Sequence, residues 1–165
     1  MKKLHLIRHA KSSWNSGDLS DIERPLNARG HKACELMAGI IHDAGCTFEN
    51  TFASPALRAR TTIENIAHHL TDQDIKWEID EDLYTFSALD LMLWCRRIDE
   101  GLSDVVIVGH NPAITEFTNR MTGSDILNVP TCGYIQMEFL STWKDLDFGI
   151  ATLNEFITPK MVKGE

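Results

Sequence analysis

The chain has 165 residues, 43% hydrophobic and 24% charged, a balance that suits one globular domain over residues 1–165 with a sizeable core. A net charge of −8 argues against a bulk nucleic-acid binder or a ligand of acidic membranes, so any anion must be met by a few focused cations. No stretch has the apolar length of a membrane span, and the apolar run after Lys2 and Lys3 ends at Arg8, too soon for a signal peptide. Cys34, Cys46, Cys95 and Cys132 are widely spaced and read as reduced thiols of a cytoplasmic protein.

Residues 2–8 read as a short strand that ends on Arg8 and His9. Residues 11–26 form a long polar connection, of the kind that is functional or mobile. Ala33, Leu36, Met37, Ile40, Ile41 and Ala44 recur at helical spacing, and Gly45 is a natural stop. A strand end follows at 51–54. Ser54 and Pro55 then read as the cap and first residue of a helix striped by Ala59, Ile63, Ile66, Ala67 and Leu70. A short strand is expected at Lys76–Ile79, and Ser87 caps a helix carrying Ala88, Leu91, Met92, Cys95 and Ile98. Val105–Val108 is apolar without alternation, which suggests a parallel strand buried on both faces. Pro112 opens a helix with Ile114, Phe117 and Met121, and the remainder reads as a hairpin near Tyr134–Phe139 and Phe148–Phe156. The pattern predicts an α/β sandwich with a mostly parallel sheet.

In such sheets ligands bind beyond the carboxyl ends of the strands. Arg8 and His9 follow the first strand, Arg58 and Arg60 the second, and His110 and Asn111 the buried one. Arg24, in "ERPL", is placed to fold over the same edge. Guanidinium forks and helix N-termini together suit a phosphoryl group, and two histidines add a nucleophile and a proton carrier. Arg60 lies about 200° around the helix from Arg58 and reads as a surface residue. His5 reads as structural. Lys11 and Ser12 are open between pocket and plain loop.

The stretches "LIRHA", "RPLNARG", "SPALRARTT" and "VIVGHNP", over about residues 4–121, resemble the histidine phosphatase superfamily, with its phosphoglycerate-mutase-like fold. The short chain and "RHAKSSW" followed by "RPL" are similar to its small SixA-like phosphohistidine phosphatase branch. The resemblance implies a three-layer sandwich and a covalent intermediate on His9. It implies that Arg8, Arg58 and His110 hold the phosphoryl oxygens, joined by Arg24, with Asn111 beside them. Larger members place a general acid near Glu81 or Asp82, and a loop carboxylate is an equal reading there. No cofactor or metal is implied. The expected partner is a protein phosphohistidine or a small phosphorylated substrate, with no nucleic acid and no membrane. A small-molecule phosphomonoesterase or mutase, and an inactive phosphate-binding module, are the alternatives.

Overall fold

A computed structural model describes residues 1–14 and 17–164. Six strands form one sheet in the order β3-β2-β4-β1-β5-β6. They are β1 (Lys2–Arg8), β2 (Thr51–Ala53), β3 (Trp77–Ile79), β4 (Asp104–Gly109), β5 (Tyr134–Phe139) and β6 (Thr152–Ile157). The first four run parallel, and β5 and β6 add an antiparallel flank. The helices are α1 (Ala28–Asp43), α2 (Leu57–His68), α3 (Ala88–Cys95), α4 (Ala113–Thr122) and α5 (Pro159–Lys163).

The unbroken apolar run of β4 follows from its place between β1 and β2, where helices cover both faces. Leu4, Leu6, Val105 and Ile107 pack with α3 and α4 on one side. Ile7, Val106, Val108 and Ala53 pack with α1 and α2 on the other. The result is the expected three-layer α/β sandwich. All four cysteines are buried and free. Among the described residues no helix is long and apolar enough to cross a membrane.

Several boundaries differ from the sequence reading. Helix α2 starts at Leu57 rather than Pro55, because Ser54 Oγ accepts only from the Ala56 amide and turns to another partner described below. Strand β6 starts at Thr152, since Phe148 packs, partly buried, against the core beside Phe117 instead of pairing. Helix α5 was not expected; Thr158 caps it and Pro159 opens it, but five residues are too few for a periodic stripe. The long connection is also less irregular than expected. It holds a 3-10 turn at Asp21–Glu23 and a bridge between Ser12 and Leu26. The mobility expected of this stretch falls partly on Asn15 and Ser16, which lie outside the described residues.

The glycine of "RPLNARG" is explained by close packing. A Cβ at Gly30 would come within 2.2 Å of the Lys11 carbonyl oxygen, so only glycine lets α1 seat against the start of the loop.

Candidate active site

Register brings the site together. Arg8 lies opposite Gly109, and Ala53 lies opposite both Val108 and Ile79. The backbone ladder continues one step further, with the His9 amide donating to Gly109 and the Ser54 amide to Val108, each at 3.0 Å. His9, Ser54 and His110 therefore leave neighbouring strand ends on one edge. The rings of His9 and His110 stand 5.4 Å apart.

His9 is 7% exposed. Its Nδ1 lies 2.7 Å from the Ala10 carbonyl, which can only accept, so the ring proton sits on Nδ1 and Nε2 keeps its lone pair. The residue after the nucleophile candidate is held just as firmly. The Ala10 amide donates to Thr62 Oγ1 at 2.8 Å, and that hydroxyl donates to the Arg58 carbonyl at 2.7 Å. This gives the second threonine of "RARTT" its role: it ties α2 to the end of β1. The Cys132 amide reaches the carbonyls of both Arg8 and His9, at 3.0 and 3.1 Å.

The arginines meet in one place with different supports. Arg8 Nη1 donates to the Val129 carbonyl at 3.0 Å. Arg58 gives Nη1 to the Asp21 carbonyl and Nη2 to its carboxylate, at 2.6 and 2.9 Å. Arg24 is nearly buried, pairing Nη1 with the other Asp21 oxygen at 2.9 Å, Nη2 with Ser12 Oγ and Nε with the Ser13 carbonyl. Its guanidinium lies 3.4 Å over the Trp14 ring. Ser12 thus supports Arg24, while the Lys11 side chain is exposed.

Among the described residues, Arg8 Nε, Arg58 Nε and His110 Nδ1 are buried without a hydrogen-bond partner. Buried donors left unmade are costly and call for an explanation. Three of them on three residues of one site are suited to an oxyanion.

Asn111 and the two carboxylates stand apart. Asn111 Nδ2 donates to Asn128 and to Val129, and its Oδ1 accepts from Thr115. It clamps the segment whose Val129 carbonyl holds Arg8. Glu81 is exposed, and Asp82 pairs with Arg97 at 3.1 Å. Among the described residues no three His, Cys, Asp or Glu side chains gather as a metal site.

Sequence reasoning missed four residues. Asp21 bridges Arg24 and Arg58, and the Tyr84 hydroxyl donates to its carboxylate. The three-residue spacing from Asp21 to Arg24 in "DIER" was the available signal. Ser54 Oγ lies 2.7 Å from His110 Nε2, which is the partner it takes in place of a helix cap. Tyr84 and Phe86 wall His110 with rings at 5.5 and 5.3 Å.

Burial, reinforced by Arg58, Arg8 and Arg24 against the Ala10 hydrogen bond, pushes the His9 pKa down to about 4. Burial, then His9 and Arg58, pushes His110 down to about 3, with Asp21 opposing. Burial by itself would raise Asp21, but its bonds from Tyr84, Arg58 and Arg24 outweigh that and hold it well below the usual carboxylate range. Both imidazoles are therefore neutral near pH 7. The unfolded chain takes up these protons first, near the ordinary value of about 6.5. Stability is thus fully present above that pH and is lost as pH falls toward 4 and 3, by at most on the order of 3 kcal/mol for His9 and about 5 kcal/mol for His110. Imidazole nitrogen shifts followed by NMR should show both rings neutral at pH 5.5. A midpoint near 6.5 for His9 would refute this electrostatic account.

Comparison with known proteins follows the same lines. The model of the histidine phosphatase superfamily (branch 1) matches residues 4–91. A crystal structure of a candidate phosphohistidine phosphatase SixA from Agrobacterium tumefaciens superposes with a TM-score of 0.80 at 22% identity, covering 96% of this chain and 98% of that one. The protein histidine phosphatase SixA complexed with tungstate gives 0.79 at 20% identity, covering 97% and 99%. An uncharacterized protein of Mycobacterium leprae is 26% identical over 166 residues, 93% of this chain and 100% of its own. The shared fold is the phosphoglycerate-mutase-like sandwich that the motifs imply.

Proposed function

The chain belongs to the histidine phosphatase superfamily, and on that footing we propose that it hydrolyses protein phosphohistidine through a covalent phosphoryl group on His9. The observation that carries this reading is the set of three buried, unpartnered nitrogens, Arg8 Nε, Arg58 Nε and His110 Nδ1, at the same strand edge as His9. Neutral His9 attacks phosphorus with Nε2. The phosphorus–nitrogen bond of the substrate breaks, and its imidazole, already protonated from solvent on the nitrogen remote from phosphorus, leaves as a neutral ring. Arg8, Arg58 and His110 meet the charge on the equatorial oxygens. Ser54 Oγ already accepts from Ala56, so its own proton is available to His110 Nε2, which leaves the His110 proton on Nδ1 to donate. Water then attacks phosphorylated His9, releasing phosphate and restoring the imidazole. Arg24 steadies the anion from the loop side through the Asp21 network.

Leaving-group chemistry favours phosphohistidine. An alkoxide needs a positioned proton donor, whereas imidazole departs readily. Glu81 is exposed and Asp82 is engaged by Arg97, so neither is held as an acid against the pocket. The reading needs no cofactor or metal, and four buried free thiols suit the cytoplasm.

A series of phosphate esters graded by leaving-group pKa tests the proposal. The rate should fall steeply as that pKa rises, with phosphohistidine at the fast end. A flat series that Glu81→Gln or Asp82→Asn makes steep would assign the chain to the phosphomonoesterases. Turnover should also persist in excess chelator. Loss there, restored by zinc or magnesium, would point to a different class of hydrolase.

A further inference from the structure

Resting on that reading, we infer that the exposed face of α3 beside the pocket docks the protein that carries the phosphohistidine, and that the docking segment is apolar and basic. The surface begins at His110. The rings of Tyr84 and Phe86, 5.4 Å from each other, both stand against its imidazole. Phe86 is nevertheless 44% exposed, just before the Ser87 cap of α3. Leu89 and Leu93 are 52% and 48% exposed. They lie one turn apart, so they share a face of the helix. Leu93 and Tyr84 also line a common cleft of about 330 Å³. Apolar side chains therefore lead from His110 out along α3.

The core does not account for them. Ala88, Leu91, Met92, Trp94 and Cys95 already bury the inner face of α3. The outer face of such a helix is ordinarily polar, and a contiguous apolar strip on it marks an interaction surface. Charge narrows the occupant. The cleft is lined by Glu81, Asp82 and Asp90 against the single guanidinium of Arg97. A phosphorylated metabolite has no use for leucines outside the pocket, and further anionic groups on it would be repelled there. A polypeptide with leucine-like and lysine-like side chains near its phosphohistidine meets both features.

Two synthetic peptides of equal length test this, each with one phosphohistidine, flanked by Leu and Lys in the first and by Ser and Glu in the second. p-Nitrophenyl phosphate serves as the small substrate. The native chain should favour the first peptide by about tenfold in kcat/KM. The double variant Leu89→Glu, Leu93→Glu should lose about that factor on the first peptide and keep its p-nitrophenyl phosphate rate within about twofold. Equal rates on the two peptides, or a preference that survives the double variant, would overturn the docking surface and leave phosphohistidine hydrolysis standing. Parallel loss on peptide and p-nitrophenyl phosphate would also overturn it, by showing that the leucines serve the fold. Hydrolysis of p-nitrophenyl phosphate but of neither peptide would overturn the phosphohistidine reading beneath it.

Discussion

Replacing His9 with alanine is expected to reduce turnover by about ten-thousand-fold or more, on phosphohistidine peptides and aryl phosphates alike. Among the described residues of the site, no second imidazole nitrogen is free to take its place. His110 Nε2 is engaged by Ser54, and its Nδ1 is read as a donor. The substitution should spare the anion seat. Arg8, Arg58 and His110 hold their positions through Val129, Asp21 and Ser54, none of which depends on the His9 ring. Tungstate measured by calorimetry should therefore still bind the variant within about tenfold of the native affinity, since the donors that meet the oxyanion remain. Hydrolysis by His9→Ala near the native rate would end the covalent mechanism.

Arg58→Ala is expected to cost about 10²- to 10³-fold in kcat, the usual effect of removing a preorganised donor from a developing oxyanion. Arg58 bonds twice to Asp21 and keeps Nε buried without a protein partner, so one side chain is both fastened and aimed. Arg58→Lys should not restore activity, because a single ammonium cannot hold Asp21 and face an oxyanion with a planar fork. Asp21→Asn should be milder and appear mainly in KM, since both arginines remain but lose a shared anchor. Steady-state kinetics on aryl phosphates would measure all three. A native kcat in Arg58→Ala would remove this residue from transition-state stabilisation.

The parts of the fold that sequence could reveal are those whose cause is local or repeated. The run Val105–Val108 is apolar because two helical layers cover it, and that composition is visible without coordinates. Arg8, His9 and His110 were visible for the same reason, since each stands at or next to the end of its strand. What stayed hidden depends on distant partners. Ser54 carries the signature of a helix cap, but its hydroxyl is claimed by His110, 56 residues later. Asp21 looks like any loop carboxylate until Arg58, 37 residues on, is folded against it. Phe148 fits a strand pattern, and only its edge contact with Phe117 shows that it packs, partly buried, against the core instead. Asn111 sits beside His110 in the sequence, yet its amide faces the Asn128–Val129 segment.

That segment has a consequence for how the protein is made. The Cys132 amide fastens the carbonyls of Arg8 and His9, and the Val129 carbonyl aims Arg8. The strand carrying His9 pairs on one side with β4 and on the other with β5. His9 is therefore translated early but cannot be competent until chain more than a hundred residues downstream has left the ribosome and paired with it. Such long-range parallel pairing closes large loops and comes late in folding. In a nascent or truncated chain ending before β4, the proposed nucleophile His9 would stand as an ordinary histidine, without the neighbours that bury it.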